Sequence, residues 1–443
     1  MDLSKPIWKI VTIGIASLLF IVLGAKRAEY PQNDFAPVYK GAVCLWSGCN
    51  PYGSGELLYP PSTLLVTAPL AVFQYRIAWS LWFLGNAALF IVAAGLVVAL
   101  CPREKRWVAT ILTAVLVAGS SQLLIFGQPS TLSISLLGIG VYCLLQRRMP
   151  WLGAVLLMIS LAVKPQIGGL VVVYLLFMKA YRRYAVVAFA GAAVILLCGS
   201  AILNAHPESS HWVSGLSANL SSAVAPGATN DPRPNNEAAT AAINLQTVTS
   251  VFFEQPKMYN DTAYAVVAIL LMAWAAINLR EKSSINDQLV SIGTLSIITL
   301  LPVYHRAYDT RLLILFIPAA VIVLERRRIE GILLCVLTAL ATVSIQHWVT
   351  LALHRAGLLE KVMTNKLWLI LLLRETNLRL LLLAGLIMVA AIGLRRTPAR
   401  QTSSVGTVVE VSTSSTRSAG SLSAVSCALP EGTASAGLAS HRP

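Results

Sequence analysis

Apolar runs about as long as a bilayer is thick recur from residue 8 to residue 394, with short charged punctuation between them. A spanning helix needs roughly 20 mostly apolar residues, so the pattern predicts about ten to twelve membrane segments in an all-α polytopic bundle. The first run, 8–24, is flanked by Lys5 and Lys9 like a signal peptide. No small-residue cleavage site of convincing form follows, and it reads as a retained helix. Residues 34–46 set Phe35, Val38, Ala42, Leu45 and Trp46 at helical spacing, the pattern of an interfacial helix in a first external loop spanning 26–59. Residues 60–73 are too short to span and read as re-entrant.

Further along, 77–100 and 107–126 are crossings, and the polar corner Gly127-Gln128-Pro129 opens a helix ending at Arg147. The runs 151–163 and 167–178 carry basic residues at their outer ends and Lys164-Pro165-Gln166 between, so they should dip into the membrane with Lys164 at the apex. After the crossing 184–203 comes the longest polar insertion, 204–259, expected to be an ordered or semi-ordered external loop. Four more crossings follow, with residues 304–309 at an external corner and 325–328 at an internal one. In 366–394 an apolar run is interrupted by Arg374, Glu375 and Arg379, which calls for a cavity or a helix break. From 397 the Ser, Thr, Ala and Gly rich sequence cannot bury enough surface to order itself and reads as a disordered cytoplasmic tail. The expected organisation is a membrane domain, 1–396, followed by that tail, 397–443. No internal repeat is visible.

The composition agrees. Of 443 residues 56% are hydrophobic and 12% charged, outside the range of soluble domains. A net charge of +15 raises the question of nucleic acid. More than half of the 34 Lys and Arg, however, sit in small clusters at the ends of apolar runs: Lys5/Lys9, Arg103/Lys105/Arg106, Arg147/Arg148, Lys179/Arg182/Arg183, Arg280/Lys282, Arg326/Arg327/Arg328 and Arg395/Arg396/Arg400. That pattern belongs to membrane orientation: these clusters and both termini are expected in the cytoplasm, in an inner-membrane protein without nucleic-acid partners. The seven cysteines show no zinc or redox spacing, and Cys101, Cys143, Cys198 and Cys335 fall in or beside apolar helices. Cys44 and Cys49 share the external loop, where a disulfide can form.

Charges near a membrane are expensive, so those away from the cytoplasmic ends need a reason. Asp34 opens the first loop, Gln128 sits at a corner, Lys164 at an apex, and His305, Arg306, Asp309 and Arg311 cluster before a helix. The topology puts Asp34, Gln128 and the His305 group on one face with Lys164 pointing toward it. A carboxylate, a histidine and several cations around a cavity suit transfer between an alcohol and a phosphate-linked donor: the carboxylate takes the hydroxyl proton and cations stabilise the departing phosphate. Each residue also has a structural reading. Asp34 and Asp309 precede helices and can cap them, Lys164 can snorkel, His305 can be a hydrogen-bonded interfacial residue, and Arg306 and Arg311 can follow interface electrostatics. Absent are G-x-x-x-x-G-K-[ST], G-x-G-x-x-G after a strand, an Asp-x-Asp pair and H-E-x-x-H, which argues against nucleotide-driven transport, a metal-bound sugar nucleotide and a zinc protease.

The segment Asp34-Phe-Ala-Pro-Val-Tyr39, followed by Gly48-Cys-Asn-Pro-Tyr52 and Tyr59-Pro-Pro61, resembles the first external loop of glycosyltransferase family 87, the polyprenol-phosphate-mannose-dependent mannosyltransferase-like proteins of the GT-C fold. Gly127-Gln128, Ala162-Val-Lys164-Pro-Gln166, Tyr304-His305 and Tyr308-Asp309 extend the resemblance in order and spacing across about 34–324, whereas 204–259 and the tail match nothing. The resemblance implies a GT-C-like bundle with extracytoplasmic loops and an inverting transfer of a hexose, mannose being the family's best-known sugar. The donor would be a polyprenyl-phosphate-linked sugar and the acceptor a lipid or glycan hydroxyl. Asp34 matches the family's catalytic base, Lys164 its cavity lysine and His305 the histidine near the donor phosphate. With Arg306, Gln128 and Tyr59 these form the expected donor site, with no metal or other cofactor required and no second carboxylate paired with Asp34 as in hydrolases. Arg306 has no assignment from the family, and the acceptor side has no readable signature. The alternative is a transporter or lipid flippase, which would need charges along an alternating path rather than on one face.

Overall fold

The computed structural model describes residues 6–25, 34–120, 124, 126–279, 284–343 and 346–396. The expected tail 397–443, residues 26–33 of the expected first loop, and Lys5, Arg280, Lys282 and Arg400 lie outside them. The described chain is an all-α bundle whose strands are two residues long.

Helix α1 spans Pro6–Ala25 and α2 Phe35–Ser47; α3, Pro61–Thr67, is extended by a tight turn at Ala68–Val72. The next elements are α4 (Tyr75–Ala99), α5 (Arg106–Ala118), α6 (Pro129–Leu145), α7 (Pro150–Val163), α8 (Pro165–Phe177) and α9 (Arg182–Asn204). The segment after α9 holds α10 (Trp212–Ala223), strand β1 (Ala242–Ile243) and α11 (Leu245–Thr249). Then come α12 (Pro256–Asn278), α13 (Ile285–Ile298), strand β2 (His305–Arg306), a 3₁₀ segment Ala307–Leu315, α14 (Ile317–Arg326) and α15 (Arg328–Thr342). The short helices Gln346–Arg355 and Leu359–Thr364 lead to a wide-turn segment, Leu369–Leu373, and to the last helix, Glu375–Arg396.

Four helices among the described residues are long and apolar enough to cross a membrane: α4, α9, α12 and Glu375–Leu394. A fifth results if Ala307–Leu315 and α14, which meet at 53°, form one broken span. The shorter apolar helices Thr12–Val22, Pro61–Val72, Pro129–Leu145, Pro150–Val163 and Pro165–Phe177 correspond to further apolar runs among the expected ten to twelve segments. Pro61, Pro129, Pro150 and Pro165 each open a helix, where a missing N–H costs nothing and the preceding residue is held extended. The short segment at 60–73, the helix at 34–46 and the paired helices meeting at Lys164 follow the expected pattern, although Trp46 faces outward. The interrupted run 366–394 is a helix break at Arg374.

Apolar side chains gain little from leaving lipid for one another, so close packing and buried hydrogen bonds must hold such helices together. Helices α6 and α7 touch where Gly140 faces Gly153. A Cβ on Gly153 would lie 2.9 Å from the Gly140 carbonyl, so only a residue without a side chain permits the approach. Two turns away Ser133 and Ser160 bond hydroxyl to hydroxyl at 3.0 Å. Basic clusters mark one end of many helices: α4 ends beside Arg103–Lys105, α6 ends before Arg147, α8 before Lys179 and α14 at Arg326, whereas α5, α7 and α15 begin at basic residues or just after them. The ends away from those clusters carry Gln128, Lys164, His305 and Asp309.

Candidate active site

The corner where α5 gives way to α6 is fixed by three contacts. Gly127 has φ +61°, and an added Cβ would run into the Trp79 ring and sit 2.8 Å from Phe35 Cβ. Its carbonyl accepts from Trp82 Nε1 at 2.8 Å, and the neighbouring Phe126 carbonyl accepts from the Asp34 N–H at 2.7 Å. Asp34 is thereby pinned at the entrance of α2. It occupies the cap position, yet its side chain makes no capping bond; Oδ2 instead accepts from the Tyr308 hydroxyl at 3.4 Å. Downstream, α2 ends in a disulfide, Cys44–Cys49, with Cα atoms 4.6 Å apart, so the pairing left open by the sequence is made.

Beside this corner Tyr59, just ahead of α3, donates to Gln128 Oε1 at 3.2 Å. Lys164 lies between α7 and α8, and its Nζ donates to Ser130 Oγ at 2.6 Å and to Asp309 Oδ2 at 3.0 Å. The same Oδ2 is 3.0 Å from His305 Nδ1. Lys164, His305 and Asp309 are all buried. Asp309 is therefore not the helix cap that its place before an apolar run suggested; no side-chain cap is made there, and the carboxylate joins a lysine and a histidine from different elements. Lys164 does not merely snorkel either: it pairs with Asp309 and bonds Ser130. His305 Nε2, Asp309 Oδ1 and the Tyr304 hydroxyl are buried without a partner among the described residues, so polar valences are left open at this place. Arg306 lays its guanidinium over the Tyr304 ring at 5.6 Å. Arg311 does not join the site: fully buried, it donates to the backbone carbonyls of Gly119 and Thr342 and ties α5, the 3₁₀ segment and α15 together.

Electrostatics distinguish Asp34 from a surface carboxylate. Burial pushes its pKa up, while the Arg306 and Lys164 cations and the Tyr308 hydrogen bond pull the other way without cancelling the rise. A carboxylate so placed holds a proton more readily than an exposed Asp. Burial, with Asp34 and Asp309 nearby, pushes the Tyr59 phenol far up, so it stays a neutral donor. Helices α2, α6 and α8 all begin within a residue of Asp34, Gln128 or Lys164, and each presents the positive end of its dipole there.

The long segment after α9 does more than connect. Strand β1 pairs antiparallel with β2, Ile243 opposite His305 and Ala242 opposite Arg306, so residues from 204–259 fix the backbone that carries both site residues. Leu245 N–H bonds the Leu301 carbonyl at 2.9 Å and Gln246 Nε2 the Pro302 carbonyl at 2.8 Å, extending the clasp. From the other side Arg374 donates to the carbonyls of Pro232 and Arg233 at 2.9 and 3.1 Å and to Ser250 Oγ at 3.2 Å, while Asn377 Nδ2 bonds Thr247 Oγ1 at 3.1 Å. Ser130, Tyr308 and this clasp were missed by sequence reasoning. Tyr308 lay within a quoted motif, which was the one available signal.

The sequence model of glycosyltransferase family 87 matches residues 57–303, more than half of the chain. The protein is thus a membrane glycosyltransferase. It belongs to glycosyltransferase family 87. The match takes in Tyr59, Gln128 and Lys164, while Asp34 lies 23 residues ahead of its start and His305 two residues past its end. No curated protein and no solved structure matches the chain. Membership of a transferase family displaces the transporter alternative.

Proposed function

We propose that the protein moves a hexose from a polyprenyl-phosphate-linked donor to a hydroxyl of a lipid or glycan acceptor on the extracytoplasmic face of the inner membrane. The observation that carries this reading is the convergence of Asp34, Tyr59, Gln128, Lys164 and the 305–309 group, from five separate parts of the chain, around one buried polar cluster. Asp34 takes the proton of the acceptor hydroxyl as its oxygen attacks the anomeric carbon. The bond from that carbon to the phosphate oxygen breaks, its electron pair leaves with polyprenyl phosphate, and the anomeric configuration inverts.

The departing phosphate needs positive charge and hydrogen-bond donors. An ammonium has three N–H groups, and two of those on Lys164 go to Ser130 and Asp309, leaving one for the phosphate. His305 Nε2 and the Arg306 guanidinium complete the anion site, Tyr59 and Gln128 line its edge, and the positive ends of α6 and α8 add to the field. No metal enters the scheme. The helix-end pattern supports the membrane face, since basic clusters that favour the cytoplasm occupy the ends away from these residues.

The test is a donor panel. Protein in liposomes is supplied with polyprenyl-phosphate hexoses and, separately, with the matching sugar nucleotides, and lipid and glycan acceptors are assayed for radiolabelled sugar. The reading expects transfer from the polyprenyl-phosphate donors only. Transfer from sugar nucleotides alone would end it.

A further inference from the structure

Asp309 has no role in the reaction as proposed, yet the geometry gives it one. Resting on the reading of a phosphate-linked donor, we propose that Asp309 is a positioning residue: through one oxygen it fixes the ring of His305 so that Nε2 is presented to the donor, and through the same oxygen it anchors Lys164. The argument starts from what a carboxylate can do. Ionised, it only accepts hydrogen bonds. Oδ2 lies 3.0 Å from His305 Nδ1, so Nδ1 must carry a proton, and the ring nitrogen left to react is Nε2. Nε2 is buried and has no hydrogen-bond partner among the described residues, as expected of an atom held for a ligand.

The surroundings leave His305 little other choice. Its backbone is locked opposite Ile243 in the two-strand pair, and its ring is fully buried four residues before Asp309 on the same turn. The single Oδ2 also receives Lys164 Nζ at 3.0 Å, so the lysine from the α7–α8 junction and the histidine from β2 are held at a common distance from one atom. Losing the carboxylate would release both. It would remove the negative charge beside Nδ1 that accompanies a ring protonated at both nitrogens, the form in which Nε2 donates to a phosphate oxygen, and would leave the ammonium buried without its counter-charge.

Two measurements test this. The first reads the wild-type protein: with ¹⁵N-labelled histidine and the His305→Ala spectrum as subtraction, the His305 ring should carry a proton at Nδ1. A ring with bare Nδ1 would overturn the proposal whatever the variants do. The second is a mutant cycle on sugar transfer. Asp309→Asn should lower kcat by about 100-fold with the donor KM changed less than about threefold, should cost less in the His305→Ala background than alone, and should cost less than about fivefold more once His305→Ala and Lys164→Met are both present. Losses that multiply in full would mean that Asp309 does not act through His305. Transfer that depends on polyprenyl-phosphate donors but shows such multiplying losses would end this role alone, whereas absence of transfer by wild type would end the donor reading with it; the ring measurement needs no turnover.

Discussion

The Asp34 carboxylate and the Tyr308 hydroxyl, 274 residues apart in the chain, meet at 3.4 Å, and through this contact the entrance of α2 faces the turn that carries His305 and Asp309. The contact favours the charged form of Asp34 against the burial that opposes it. A base must be ionised to work, so the rate falls as pH drops through the raised pKa of Asp34. Tyr308→Phe removes a bond made to the charged form, which moves the pKa further up and the acid limb of kcat to higher pH. A pH profile of the variant against wild type checks this; a limb that stays put or moves down would show that the hydroxyl does not act on Asp34.

Gly127→Ala should be damaging out of proportion to one methyl group. The residue sits at φ +61°, where a non-glycine residue costs of order 1–3 kcal/mol, and the new Cβ would meet Trp79 and Phe35. Thermal unfolding in detergent should show a lower midpoint, with transfer activity lost alongside because the same corner holds Asp34 by its N–H.

Arg374 anchors the 232–250 segment, and that segment clasps the strand of His305 and Arg306. Arg374→Met removes hydrogen bonds from a buried cation, each worth about 1.5–3 kcal/mol. The variant is expected to be cut faster by protease between 229 and 250 and to show a donor KM raised by about tenfold. Unchanged proteolysis would mean that the anchor is dispensable.

Orientation can be read by thiol labelling. In a cysteine-free background Glu56→Cys and Arg148→Cys, both at exposed positions, should react from opposite sides of the membrane, with position 56 labelled by an impermeant reagent added outside intact cells. Labelling of both from one side would remove the assigned face.

The sequence made the helical architecture and much of the site visible because both leave local marks. Apolar length marks helices, and a charge stranded in an apolar setting marks a place that needs explaining, as with Lys164. Other features left none. A polar residue ahead of an apolar run looks alike whether it caps a helix or binds two cations, so Asp309 was read as a cap. Two-residue strands are too short to show alternation, and the pairing of Ile243 with His305 is therefore invisible before folding. Ser130 looked like any small residue in a packed helix, and only the folded chain brings Lys164 to its hydroxyl.

The central claim is that Asp34 is the base in a displacement from a lipid phosphate, and one comparison tests it most directly. Wild type and Asp34→Asn, reconstituted at equal amounts with the polyprenyl-phosphate hexose donor that wild type uses, are followed for transfer to acceptor. The account expects the variant to fold and bind donor as wild type does and to transfer sugar at least about 100-fold more slowly. Equal rates for the two proteins would contradict it.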